Sequence, residues 1–505
     1  MPKPNRRKKP AARKGNPAEA PRQDRGRRAV TDLHYLSATE ALRLFRRREL
    51  SPVELMASVI ERAERVEPKV NSLCVRFFER ALEQARAAEA RYMGRGEPPR
   101  PLEGIPTAVK EEEPLAGEPW TQGSLIFADT IAPETSNFGR RILESGAIVH
   151  ARSTAPEFSC AGFTHSRIWG VTRNPWNQQF AVGGSSGGSG ASLAAGTSTL
   201  ASGSDIGGSI RIPASFNGVV GFKPPHGRVP QMAPFNLDSY SHCGPMARTV
   251  DDCLLFENCL AGPDASDLAS LRPRLELPER LPGVEGLRIA LCADLGDWPL
   301  DPEVRRNTTE LALALRDQGA LVDEIDLRVP QAEVLRAAGI HFRLGFEPWI
   351  QTMCTEHPDL VTDYARDFAA RGITGRRDGS QWDEFDLEAR LYRTVGAALE
   401  QYDALICATC GTRGLIAGDS YVDHGIEVGG RTLSHYFEGI LTVVFNLFSR
   451  CPVLNVPSGF ADNGVPTGVQ IVGRTYDDLT PFRVGRACER ARPWFDTAER
   501  RPRLT

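Results

Sequence analysis

Apolar residues recur at helical spacing early in the chain, then give way after residue 104 to short apolar runs bounded by Gly and Pro. Ser37-Ala38-Thr39-Glu40 precedes Ala41, Leu42, Leu44 and Phe45. A serine with a glutamate three positions on is a capping box, and it predicts a helix start. Ser51-Pro52-Val53-Glu54 repeats the signal with proline at the first helical position, and Leu55, Val59, Ala63 and Val66 continue at helical spacing. Residues 74–93, rich in Ala, Arg and Glu, predict a third helix. Gly104-Ile105-Pro106-Thr107-Ala108-Val109-Lys110 predicts a turn and a short buried strand ending at the lysine. Further strands are expected at 147–151, after a helix over 138–144, and at 218–224, 287–292, 320–325 and 404–407. Helices are expected over 302–318, 331–343 and 384–402. Strands interleaved with helices imply an α/β fold with a mainly parallel sheet. Residues 335–440 look irregular and mixed in charge, Thr374–Ser380 most of all, and suit either the wall of a substrate pocket or a surface excursion. No internal repeat is visible.

Composition narrows this picture. With 505 residues, 41% hydrophobic and 25% charged, the chain can bury a large core. No run approaches the roughly 18 apolar residues of a membrane span. The net charge of −3 hides an asymmetry: residues 1–28 hold 11 Lys/Arg against 2 Asp/Glu. That segment has too few large apolar residues to offset its ordering entropy, so residues 1–30 are expected to be a basic, disordered tail. It lacks a secretory h-region, and a solubilising role is expected over nucleic-acid binding. The 11 cysteines are odd in number and scattered, which implies reduced thiols and a cytoplasmic location. Cys407-Ala408-Thr409-Cys410 follows Ala404-Leu405-Ile406 and is expected to close a buried strand; no second pair completes a zinc set. Lysine is scarce. Beyond the tail only Lys69, Lys110 and Lys223 occur, among many arginines. Arginine stays charged, whereas a buried lysine loses its proton readily, so Lys110 and Lys223 are candidates for a site that needs a neutral amine.

The candidate chemistry centres on Gly183–Arg211, which holds two glycine-wrapped serine clusters, Gly183-Gly184-Ser185-Ser186-Gly187-Gly188-Ser189 and Gly207-Gly208-Ser209. Leu193, Ala194, Ala195, Leu200, Ile206 and Ile210 set the stretch apart from a flexible linker. A serine hydroxyl needs a base to become a nucleophile, and none of the nine histidines stands in a recognisable relation to these serines. Gly183–Gly187 matches the G-x-S-x-G elbow, but a loop-like Asn174–Gln179 precedes it where that motif needs a strand. Asp205-Ile206-Gly207-Gly208-Ser209 can form a tight turn with converging N–H groups, suited to an oxyanion hole worth about 3 kcal/mol per donor. The simpler alternative is a turn with an N-capping serine.

These residues carry a resemblance. Lys110 after G-I-P-x-x-V, GGSSGGS, GSDIGGSIRIP and GFKPPHGRV are similar to the motifs of the amidase signature family. Arg173–Asn177, Gly244–Asp252 and Cys451–Arg474 extend the likeness over most of the chain. The resemblance implies the amidase signature fold, a mixed, mainly parallel central sheet covered by helices on both faces. It implies Ser209 as the nucleophile that forms an acyl-enzyme. Ser185 would be the bridging serine, after a cis peptide from Gly184, and Lys110 the final base, neutral when buried. The N–H groups of Ile206, Gly207, Gly208 and Ser209 would hold the oxyanion, Asp205 and Arg211 would brace the loop as an ion pair, and Lys223 would be structural. No metal or organic cofactor is implied. One departure stands out: the family usually follows the lysine with Asp and Asn, and here Glu111-Glu112-Glu113 follow. Some of these carboxylates are expected to point to solvent.

The implied functions are three. The first is an amidase releasing ammonia or an amine from a carboxamide, with anilide, carbamate (urethanase) and ester variants. The second is a glutaminase component of an amidotransferase complex. The third is a non-enzymatic binding protein on the same fold. The expected partner is a small-molecule amide, with no membrane or nucleic acid, on a monomer or homodimer. Residues 31–505 would be one catalytic domain, with 335–440 its variable pocket region. The pocket is expected to draw on 121–126, 158–170, 231–243 and 335–440. Phe158, Phe163, Ile168, Trp169, Met232, Phe235 and Phe346 would favour apolar or aromatic acyl groups, at least half of them serving as core instead.

Overall fold

Eleven short segments join in one sheet: Leu73–Arg76 (β1), Pro106–Lys110 (β2), Ile148–Ser153 (β3), Leu200–Asp205 (β4), Val220–Lys223 (β5), His242–Ala247 (β6), Arg288–Leu291 (β7), Leu321–Glu324 (β8), Ala404–Ala408 (β9), Val453–Phe460 (β10) and Pro466–Gly473 (β11). Their spatial order is β1-β3-β2-β4-β6-β5-β10-β11-β9-β7-β8. The computed structural model describes residues 1–2, 32–373 and 378–504. The chain divides into two units, Met1–Asp32 and Leu33–Thr505, and the second holds the whole sheet. The expected basic tail lies, from residue 3 on, outside the described residues.

The sheet is mixed. Strands β3, β2 and β4 run parallel on one flank, and β9, β7 and β8 on the other. The pairings between β4, β6, β5, β10, β11 and β9, and that of β1 with β3, are antiparallel. The α/β class stands, with a smaller parallel share than the strand–helix alternation suggests. Successive side chains of a strand face opposite sides, and the two apolar cores show it. Leu405, Cys407, Val453 and Val472 join one core; Ala404, Ile406, Leu454 and Ile471 join the other. Helices cover both faces, and among the described residues no helix is long and apolar enough to cross a membrane.

The early helices form where their caps predict. Ser37 accepts the Glu40 N–H ahead of Ala38–Arg47, and Ser51 and Glu54 close a full capping box ahead of Pro52–Val70. Two expectations are corrected. Residues 73–76 are the edge strand β1, and the third helix is confined to Phe78–Tyr92, because Leu73 and Val75 pair with the backbone of β3. Residues 335–401 are mostly helical, while 402–440 stay largely irregular: Gln331–Leu344, Glu347–Glu356, Asp363–Arg371 and Gln381–Gln401 pack their apolar faces on the core that holds Phe158 and Phe163.

Candidate active site

Parallel neighbours present their C-terminal ends at one edge of a sheet, where α/β folds place ligands. Here β2 and β4 do so, with Ala108 opposite Ala201, and the two strands end at Lys110 and Asp205. The Lys110 side chain is 1% exposed. Its Nζ donates to Ser185 Oγ at 2.6 Å and Ser204 Oγ at 2.8 Å, and lies 2.9 Å from Glu112 Oε1. The Lys110 N–H donates to Ser202 Oγ at 3.0 Å, which ties the strand end to β4. Ser185 follows a cis peptide from Gly184 and precedes the buried helix Gly187–Ala195. The backbone passes so close to its neighbours that a Cβ at Gly184 would stand 2.4 Å from the Phe163 carbonyl oxygen.

Ser209 sits on the loop between β4 and the helix Arg211–Asn217 and opens onto a pocket. The Ser186 N–H donates to the Ser209 carbonyl at 3.1 Å, which locks the two serine loops together. Gly208 has φ +127°, and a Cβ there would meet Thr442 Oγ1 at 1.9 Å. The Asp205 carboxylate organises the loop. It accepts the N–H groups of Gly208 at 2.9 Å and Ile210 at 3.2 Å, and the Arg211 guanidinium at 2.7 and 2.9 Å. Arg211 also donates to the Thr442 carbonyl, Gln470 and Asn446. Burial alone would raise the Asp205 carboxyl, but Arg211, with hydrogen bonds from Arg211 and Asn446, holds it well below the usual range. The Asp205–Arg211 ion pair is fully buried. One expected oxyanion donor is corrected: the Gly208 N–H is engaged by Asp205, while those of Ile206, Gly207 and Ser209 meet no acceptor among the described residues.

Lys223, at the end of β5, donates to the Cys451 carbonyl at 3.0 Å and the Ser449 carbonyl at 3.3 Å, and lies 3.4 Å from His242 Nε2. Burial, reinforced by the Arg211 charge, brings it down to about 7. Cys407 and Cys410 are buried free thiols at the end of β9, each pushed well up by burial.

The three glutamates depart from expectation, because each is held by the protein. Glu111 is fully buried and accepts the backbone N–H groups of Thr121, Gln122 and Gly123. Glu112 pairs with Lys110 through Oε1 and accepts the Ser159 hydroxyl through Oε2. Burial would raise Glu112, but the Lys110 charge and hydrogen bonds from Ser159, Ser204 and Lys110 hold it lowered. Glu113 accepts the Ser136 hydroxyl, and burial pushes it up to about 7. Arg152 donates to the carbonyls of Lys110, Glu111 and Glu113, so the turn after β2 is fastened from both sides.

The pocket beside Ser209 is lined by Ser159–Gly162, Ile206, Gly207, Ile212, Phe342, Phe346, Phe368, Ile373, Tyr436 and Phe437. It draws on the expected 158–170 and 335–440 segments and not on 121–126 or 231–243. Of the seven apolar residues singled out in the sequence, Phe346 lines it. Phe158 stacks edge-on against Trp349, and Phe163 is packed between Tyr364 and Tyr436 as core. Sequence reasoning missed Ser204, Thr442 and Asn446. Only Ser204 had a signal: it alternates with Ser202 in LASGSD, which puts both serines on one face of a strand.

A family model described as Amidase matches residues 54–480. The chain is 32% identical over 495 residues to a glutamyl-tRNA(Gln) amidotransferase subunit of Cyanothece sp., spanning 90% of this chain and 97% of that protein. It is 31% identical over 482 residues to an acylamidase of Rhodococcus erythropolis, spanning 92% and 97%. Among solved structures, a bacterial aryl acylamidase of the amidase signature enzymes is similar with a TM-score of 0.83 at 29% identity, covering 92% of this chain and 97% of that one. A 6-aminohexanoate cyclic dimer hydrolase follows at 0.78 and 27%, covering 93% and 99%.

Proposed function

The chain belongs to the amidase signature family, amidohydrolases acting on C–N bonds, and we propose that it cleaves apolar, aryl-bearing amides through a Ser209 acyl-enzyme. The observation that carries this reading is the Lys110–Ser185 hydrogen bond of 2.6 Å, buried behind the loop that presents Ser209 to the pocket. Ser209 Oγ attacks the amide carbonyl. Its proton passes to Ser185 Oγ while Ser185 gives its own to neutral Lys110, and the relay then protonates the leaving nitrogen. Water attacks the acyl-enzyme with the relay reversed. The N–H groups of Ile206, Gly207 and Ser209 hold the oxyanion, each worth about 3 kcal/mol.

The pocket supports the substrate class. Phe342, Phe346, Phe368, Tyr436 and Phe437 surround it, and no charged side chain lines it among the described residues. This lining suits an apolar group, and since the cavity measures about 30 Å³ as it stands, an aryl ring enters only as these side chains move apart. Glutamine would bring an ammonium and a carboxylate, and an unpaired buried charge costs several kcal/mol. This separates the reading from the glutaminase alternative that the amidotransferase relatives suggest. The test is a panel of anilides, aliphatic amides, carbamates, esters and glutamine, followed by released amine or ammonia. We expect anilides to exceed glutamine by at least about 100-fold in kcat/KM, with loss of turnover in Ser209→Ala. Preference for glutamine, dependent on a partner protein, would overturn the reading.

A further inference from the structure

We propose that Glu112 is a positioning residue of the relay, its carboxylate gripping the Lys110 amine that faces Ser185 and so placing the acid limb of the enzyme's pH profile. The inference rests on the proposed roles of Lys110, Ser185 and Ser209. Its basis is the surroundings of Nζ. Three acceptors stand within hydrogen-bond distance: Ser185 Oγ at 2.6 Å, Ser204 Oγ at 2.8 Å and Glu112 Oε1 at 2.9 Å. An ammonium has three N–H donors and no lone pair, so this arrangement saturates the charged form. To accept a proton from Ser185, Lys110 must first lose one, and a carboxylate in contact opposes that loss. Glu112 is itself fixed, because Ser159 donates to its other oxygen. It does not line the pocket, so it acts through Lys110 rather than on the substrate.

The other ionisable groups around Lys110 do not duplicate this role. Glu111 is spent on the 121–123 amides, and burial raises it. Glu113 is turned to Ser136, and burial brings it up to about 7. Arg152, on β3, opposes the Lys110 charge but contacts its carbonyl rather than its amine. Cys243, on β6, is a thiol pushed well up by burial, so it stays uncharged. Glu112 is the carboxylate in contact with the amine.

The experiment is the pH profile of kcat/KM on an anilide for the full chain and for Glu112→Gln and Glu112→Asn, with folding checked by thermal unfolding. Loss of the carboxylate lowers the acid limb by about one pH unit, a roughly fivefold gain at a pH one unit below the wild-type midpoint. The shorter Asn side chain carries the test if Gln does not fold. Ser159→Ala, which leaves more of the Glu112 charge facing Lys110, moves the limb the other way. An unmoved limb in the folded Glu112 variants, beside an inactive Lys110→Met, overturns this inference alone. Turnover retained by Lys110→Met overturns the relay and this inference together.

Discussion

At the scale of single residues, the site depends on atoms that leave no room for a neighbour. Gly208 combines φ +127° with the Thr442 hydroxyl 1.9 Å from where a Cβ would be. Gly208→Ala is therefore expected to lower stability by at least about 2 kcal/mol and to misplace Ser209, seen as a drop in melting temperature and in turnover together. Asp205 is the hub of the loop, and Asp205→Ala leaves Arg211 buried and uncompensated. A loss of about 3–5 kcal/mol is expected in denaturant unfolding; a change under about 1 kcal/mol would show that the loop does not depend on the pair. Lys110→Arg keeps the charge and removes the base, so kcat should fall by at least about 1,000-fold. The scarcity of lysine and the glycine-wrapped serines singled out Lys110, Ser185 and Ser209 in the sequence, and the family resemblance supplied the roles proposed for them. Asn446 was not legible there, because it reaches Asp205 across 241 residues of chain. Neither was the grip of Glu112, since a run of three glutamates does not say which of them turns inward.

At the scale of elements, the pocket wall is clamped by one imidazole. His341, on the helix Gln331–Leu344, stacks 3.6 Å from Tyr240. Its Nδ1 donates to Glu384 at 2.7 Å, on the helix Gln381–Gln401, and its Nε2 to Asp238 at 2.8 Å. Burial opposes the imidazolium, but Asp238 and Glu384 outweigh it and push His341 up to about 9 from 6.5. A group raised on folding stabilises fully below its unfolded pKa, and the gain is lost as pH climbs through the folded value. The melting temperature should therefore fall between about pH 6.5 and pH 9, and His341→Gln should flatten that slope; an equal slope in the variant would contradict the clamp. Elements with strong periodicity or caps, such as Pro52–Val70, were legible. The strand LASGSD and the helix GGSGASLAA were not. Both are made of small residues because they pass through the crowded centre, and propensity says little where packing decides.

At the scale of the whole molecule, a mixed sheet brings the ends of β2 and β4 together, while helices between residues 331 and 401 build the aromatic wall above them. The α/β class followed from alternation of strands and helices, but the antiparallel middle did not: β10 and β11 are a hairpin, whereas β5 meets β10 and β9 meets β11 across distant parts of the chain. All the proposed chemistry lies within 33–505, so removal of residues 1–30 is expected to leave kcat within about twofold. In the proposed mechanism Ser209 carries the acyl group. Intact-mass and peptide-mapping analysis of the protein trapped with a slowly turning-over aryl ester tests it most directly. One acyl adduct is expected, on Ser209, absent from Ser209→Ala and formed far more slowly in Lys110→Met. An adduct on another residue, or undiminished turnover in Ser209→Ala, would contradict that mechanism.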